Sequence, residues 1–213
     1  MRILVLGTHN QKKRRELESL LVEQSVELQT LADFPDPIDV VEDGESFAEN
    51  AALKASQQAT HLHHWVLGED SGISVAALDN QPGIFSARFS GPDATDQKNN
   101  ETLLSELADT PRLERTAFYT CHLALADPSG EIRLRCEARC HGLIRFQEAG
   151  SAGFGYDPLF EIYEYHRTFG ELGDAVKAVI SHRSRAIRKF LPQLAGLIRS
   201  GDWHLSRETE TKT

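Results

Sequence analysis

Residues 116–126 read TAFYTCHLALA and residues 131–145 read EIRLRCEARCHGLIR, with Asp127-Pro128-Ser129-Gly130 between them. Ala117, Tyr119, Cys121, Leu123 and Leu125 alternate along the first run, and Ile132, Leu134, Cys136, Ala138 and Cys140 along the second. An apolar period of two belongs to a strand with one buried face. Asp-Pro-Ser-Gly is turn chemistry, so the two runs predict two long strands joined by a turn.

Working outward, residues 2–7 predict a short buried strand. Asn10 to about Glu23 predicts a helix, because Leu17, Leu20 and Leu21 fall at helical spacing. Val26 to Leu31 predicts a second strand, and Asp33-Phe34-Pro35-Asp36-Pro37 a loop. Ser46-Phe47-Ala48-Glu49 fits a capping box that opens a helical run through Ala59. Trp65 to Gly68 and Ile73 to Leu78 predict two further short strands, with Glu69-Asp70-Ser71-Gly72 at a strand end beside a tight turn. Asp96 to about Leu107 predicts an amphipathic helix. A last helix runs from near Ser181 to Arg199, where Pro192 should kink or interrupt it. Helices and strands are mixed along the chain, so the fold class is α/β with a mixed sheet. The length suits one domain over residues 1–200, followed by a polar tail at 201–213.

Lys plus Arg is 23 and Asp plus Glu is 32, a formal net charge of -9. That balance argues against a nucleic-acid backbone as partner, since phosphate tracks need clustered cations. A polyanionic small ligand would need a locally basic pocket and a metal ion. No stretch is long and apolar enough to span a bilayer as a helix. Cys121, Cys136 and Cys140 form no CxxC pair, and free thiols point to a reducing cytoplasm.

Four segments could carry chemistry. Gly7-Thr8-His9-Asn10-Gln11-Lys12-Lys13 joins a strand to a helix, where free N–H groups and added cations attract anions. A plain strand–helix connection capped by Asn10 reads equally from the same residues. Glu42, Glu45, Glu49, Glu69 and Asp70 could hold magnesium or take a proton from water. Gly153-Phe154-Gly155-Tyr156-Asp157-Pro158 offers close backbone approach and an aromatic face, or simply a packed turn. Lys177 and Ser181-His182-Arg183 could meet phosphates or a purine carbonyl. Cations in the first turn of a helix are electrostatically unfavourable, which favours function for His182 and Arg183.

Together these segments resemble the inosine triphosphate pyrophosphatases, also described as XTP/dITP diphosphatases. The resemblance runs from Ile3 to about Leu194. Its pieces stand in the family's order: Thr8-His9-Asn10 to Lys13 and Glu16, then Gly44-Glu45-Ser46-Phe47-Ala48-Glu49-Asn50-Ala51 with Lys54, then Asp70-Ser71-Gly72. Pro82-Gly83-Ile84-Phe85-Ser86-Ala87-Arg88, Gly153 to Pro158 and Ser181-His182-Arg183 follow. The resemblance implies an elongated mixed sheet flanked by helices, with two lobes and an active-site cleft between them. It implies a homodimer, magnesium, and cleavage of deaminated purine nucleoside triphosphates to monophosphate and pyrophosphate. Asp70 is then the general base, and Glu42, Glu69 and Asp70 the metal side. Thr8, His9, Asn10, Gln11, Lys12, Lys13 and Lys54 face the phosphates, and Ser71 also contacts the ligand. Phe154, Gly155, Tyr156, Asp157, Lys177, His182 and Arg183 read the purine. This chain departs from the family's pattern at His9, usually small or Asn, and at Glu69, usually Asp. Those departures keep one alternative open, a nucleotide-binding protein with lost catalysis; a separate alternative is a Maf-like pyrophosphatase of another base preference.

Overall fold

The structure, a computed structural model, describes residues 2–21 and 26–203. The end of the first predicted helix and most of the polar tail lie outside the described residues. In chain order the elements are β1 (Ile3–Leu6), α1 (Gln11–Leu21), β2 (Glu27–Thr30), α2 (Phe47–Leu62), β3 (Trp65–Val75) and α3 (Asp96–Glu106). They continue with β4 (Thr116–Ala126), β5 (Ile132–Ile144), β6 (Phe160–Ile162), β7 (Arg167–Thr168), α4 (Phe169–Ile180) and α5 (His182–Ser200). One sheet holds all seven strands in the order β2-β1-β3-β4-β5-β6-β7. β1 runs parallel to β2 and β3, and the remaining pairs are antiparallel, so the sheet is mixed.

Two expectations are corrected. The runs 65–68 and 73–78 are not separate strands with a turn between them. β3 passes straight through Glu69-Asp70-Ser71-Gly72, paired with β4 from Val66↔Ala126 to Val75↔Ala117. Gly68, expected to end a strand, and Gly72, expected in the turn, serve close packing instead. A Cβ on Gly68 would lie 2.2 Å from the Ala51 carbonyl oxygen in α2, and one on Gly72 2.4 Å from Ser86 Oγ. Pro192 does not interrupt α5, which runs from His182 to Ser200 across it. The last helix is held by its apolar face, with Ile187, Phe190 and Leu194 buried against the sheet.

The capping box at Ser46 is half made. Ser46 Oγ accepts from the Glu49 N–H, but the Glu49 carboxylate accepts from the Glu45 N–H rather than that of Ser46. A complete box stands at α4, which the helical period missed. Thr168 accepts from the Glu171 N–H, and Glu171 accepts from that of Thr168.

Alternation along β3 positions the site. Trp65 and Leu67 join the cluster beneath α1 and α5, with Cys121, Leu123 and Leu125. Ile73 and Val75 join a second cluster on the same face, with Leu103, Tyr119, Tyr156, Phe160 and Phe169. Glu69 and Ser71 fall between them, so a polar seam divides the two apolar cores. Gly68 and Asp70 face the other way, toward α2, where Ala51, Ala55 and Ala59 pack on Val66 and Ala124.

Candidate active site

β1 pairs with β3 only as far as Leu6↔Leu67, and the Gly7 N–H closes that ladder on the Leu67 carbonyl at 2.9 Å. On the same edge, Ser86 Oγ accepts the Ile73 N–H at 2.9 Å. The edge of β3 between these contacts, at Glu69 to Ser71, is open to a ligand. A cavity lies on each side of it, and Asn10, Lys13, Ser71 and Ala87 line both.

The first cavity is aromatic. Phe154, Tyr156, Tyr119 and His182 line it, with Asp157, Lys177 and Arg183. Positive φ at Gly153 and Gly155 bends the 153–157 loop, and Asp157 ties it by accepting the Phe154 N–H at 2.8 Å. Lys177 Nζ sits 2.6 Å from Asp157 and 4.1 Å from the Phe154 ring centroid. Tyr119 stacks on His182, centroids 4.6 Å and planes 9° apart. Burial, reinforced by the charges of Arg183 and Lys177, holds the His182 pKa well below its ordinary value, so its imidazole is neutral. His182 Nδ1 and Arg183 Nε are buried and find no hydrogen-bond partner among the described residues.

Behind this cavity runs a buried ion network. Arg183 Nη2 donates to Glu69 at 3.0 Å and to Ser71 Oγ at 3.0 Å, and Arg183 Nη1 pairs with Glu16. Lys13 lies 3.1 Å from the other Glu69 oxygen, and Lys177 2.9 Å from Glu16. Burial raises the Glu69 pKa, but Arg183 and Lys13 outweigh it and hold the carboxylate well below the usual range. Glu16 is lowered the same way, against burial, by Arg183 and Lys177.

The second cavity is ionic. Thr8, His9, Asn10, Lys13, Asp39, Glu42, Lys54, Asp70 and Arg88 line it. Lys54 Nζ bridges Glu42 at 3.0 Å and Asp70 at 2.8 Å. Burial, stronger than the pull of Lys54, lifts Asp70 above the ordinary carboxylate pKa. The second oxygen of Glu42 and of Asp70 receives no hydrogen bond from the described residues. Asn10 Oδ1 caps α1 by accepting the Lys12 and Lys13 N–H groups at 3.0 and 3.1 Å, and Thr8 Oγ1 accepts the Asn10 N–H.

Glu69, expected on the metal side with Glu42 and Asp70, does not stand beside them. Neighbours in a strand point to opposite faces, so Glu69 turns to Lys13 and Arg183 while Asp70 turns to Lys54 and Glu42. The long arm of Glu69 reaches both cations. Among the described residues no three His, Cys, Asp or Glu side chains converge on a metal position. Two carboxylates with free oxygens still suit magnesium, which takes one or two from protein and the rest from phosphate and water.

Gln11 is exposed and lines neither cavity. Lys12 lines neither, but its Nζ pairs with Asp96 at 2.6 Å and stands 5.5 Å from the Phe154 centroid. His9 is half exposed, 3.6 Å from Asp39. Three participants were not assigned from sequence. Tyr119 carried only the alternation of a core residue. Asp96, which accepts the Gly155 N–H at 3.0 Å, looked like an ordinary first helical residue. Glu16 had a signal, since it follows Lys13 by three positions and shares its helix face.

A family model for the Ham1 family matches residues 4–193. A dITP/XTP pyrophosphatase of Rhodopirellula baltica is 54% identical, over 92% of this chain and 95% of the relative. One from Geobacter sulfurreducens is 45% identical, over 86% and 92%. A solved Ham1 protein from Coxiella burnetii superposes with a TM-score of 0.85 at 33% identity, covering 92% of this chain and all of that one. The open edge of β3, the cavities on its two sides and a match across nearly the whole chain lead to one conclusion: this chain belongs to the Ham1 family.

Proposed function

We propose that the chain hydrolyses deaminated purine nucleoside triphosphates to the nucleoside monophosphate and pyrophosphate. The observation that carries this is the pairing of an aromatic, donor-rich cavity with an ionic one across the open edge of β3. A purine nucleotide has one apolar, hydrogen-bonding end and one polyanionic end, and bends over that edge with its α-phosphate near Asp70 and Ser71. The similar proteins named as dITP/XTP pyrophosphatases support the same reading.

Asp70 orients a water and takes its proton; burial has already made it a stronger base than a free aspartate. The water oxygen bonds to the α-phosphorus, the bridging bond to the β-phosphate breaks, and its electron pair leaves with pyrophosphate. Lys13 and Lys54 are positioned against the developing charge. Glu42 and Asp70 would hold magnesium, which when bound neutralises phosphate charge and polarises the reacting centre. Arg183 Nε is a buried donor without an acceptor. The 6-keto oxygen of hypoxanthine or xanthine supplies one, whereas the 6-amino group of adenine would leave it unpaired, a strong basis for rejection. The resemblance extends the proposal to a homodimer, and the three buried free cysteines suit a reducing cytoplasm.

Hydrolysis in 18O-labelled water tests the bond that breaks. Label in the monophosphate is the expected result, and label in pyrophosphate would place the attack on the β-phosphorus instead. Tyr119 offers a second test. Its ring holds His182 flat through stacking worth about 1 kcal/mol. Tyr119→Leu should raise KM for inosine triphosphate about fivefold, while Tyr119→Phe, which keeps the ring, should stay near wild type in steady-state kinetics.

A further inference from the structure

The two lysines of the ionic cavity are already committed. Lys13 pairs with Glu69, and Lys54 with Glu42 and Asp70. The cavity also holds Asp39, so by itself it offers a polyanion little net positive charge. Arg88 differs. It lines the same cavity, is exposed, and has no carboxylate within ion-pair distance among the described residues; its guanidinium lies 5.2 Å from the Phe85 ring centroid.

The backbone beneath Arg88 is fixed. It ends the 3-10 segment Gly83–Arg88. Ser86 Oγ accepts the Ile73 N–H at 2.9 Å and donates to the Gly83 carbonyl at 2.6 Å. Tyr156 Oη donates to the Ser86 carbonyl at 2.8 Å, and Asn99 Nδ2 to that of Ala87 at 3.2 Å. Ala87 lines both cavities, and Arg88, next in the chain, lines only the ionic one. A fixed backbone thus carries a cation without an ion-pair partner among the described residues into the ionic cavity. Guanidinium binds phosphate oxygens through two parallel hydrogen bonds, which suits a pyrophosphate group.

We propose that Arg88 is a substrate-binding residue that grips the β- and γ-phosphates and holds the pyrophosphate product, an assignment that rests on the phosphate end occupying the ionic cavity. Arg88 also bears on selectivity among nucleotides, since a monophosphate gives it nothing to hold.

The test compares wild type with Arg88→Gln and Arg88→Lys. It measures KM for inosine triphosphate with magnesium, competitive inhibition by inorganic pyrophosphate and by inosine monophosphate, and melting temperature. Arg88→Gln should raise both KM and the pyrophosphate inhibition constant about tenfold, the loss of one charge-assisted contact. Inosine monophosphate should inhibit within about twofold of wild type, since it lacks those phosphates. Arg88→Lys should recover part of the loss, a point charge replacing the fork. Unchanged inhibition by pyrophosphate in Arg88→Gln, or an equal loss for inosine monophosphate, would overturn the assignment. A wild type that neither turns over inosine triphosphate nor is inhibited by pyrophosphate would instead overturn the underlying placement of the phosphates, and Arg88 with it.

Discussion

Asp70→Asn is expected to cut turnover of inosine triphosphate by about 10²–10⁴-fold, the range a positioned general base contributes. Asn has the shape of Asp but cannot take a proton at neutral pH. The side chain is nearly buried and 2.8 Å from Lys54, so the amide oxygen keeps that contact and Lys54 keeps Glu42. Burial disfavours the charged aspartate, so the variant should melt at or slightly above the wild-type temperature. Nucleotide affinity measured without metal should change far less than the rate, because the lysines and the aromatic cavity are untouched. Burst-free steady-state rates, a melting curve and equilibrium binding of inosine triphosphate check all three. An unchanged rate would remove Asp70 from the chemistry.

Arg183→Met is expected to cost about 3–5 kcal/mol of stability, because it breaks a buried ion pair and leaves the inaccessible Glu69 carboxylate with Lys13 as its one remaining cation and Glu16 with Lys177. Glu69 and Arg183 are both essentially inaccessible, and Arg183 also pairs with Glu16. At about 2–4 °C per kcal/mol for a domain of this size, the melting temperature falls by roughly 6–20 °C. Adding Glu69→Gln to Arg183→Met should restore part of the loss, since a neutral amide tolerates burial better. The pH dependence has a fixed sign. Glu69 and Glu16 have folded-state pKa values below their ordinary ones. Their contribution is therefore complete above the unfolded value, about 4.3, and is lost as pH falls through the folded values. Without Arg183 the two carboxyls titrate higher and their burial is relieved by acid. The gap between wild type and Arg183→Met should narrow as pH drops from 7 into the carboxylate range. Thermal melts across that range check this, and a constant gap would mean that packing, not charge, sets the cost.

The long alternating runs of β4 and β5 were legible because an apolar period of two, sustained over many residues, matches a strand and not a helix. α5 was legible for the same reason at a period near 3.6. β3 was misread because its middle is polar. A strand that passes between two apolar cores carries no apolar alternation there, and Asp70-Ser71-Gly72 mimics a turn while Gly72 serves close packing. α4 was missed although Thr168 and Glu171 spell its capping box, because Gly170 and Gly173 dilute the helical pattern. Of the site, Asp70, Lys54, Lys13 and the 153–157 loop were reachable through motif and resemblance. That Glu69 faces Lys13 and Arg183 rather than Glu42 was not legible, because its direction depends on the strand passing straight through the motif. Tyr119 has no local signature of binding, and Arg88 stands in a quoted motif, Pro82 to Arg88, that carried no role for it. Only pairing across the sheet places Tyr119 on His182, and only the ion-pair map shows that Arg88 is uncommitted.

The central claim is that this pair of cavities hydrolyses deaminated purine nucleoside triphosphates with a bound divalent cation. Pyrophosphate release from inosine, xanthosine, guanosine and adenosine triphosphates, with magnesium and then with EDTA, tests it most directly. Metal-dependent release strongly favouring inosine and xanthosine triphosphates is the predicted result. Release unaffected by EDTA, equal release from adenosine triphosphate, or no release from any of the four would contradict it.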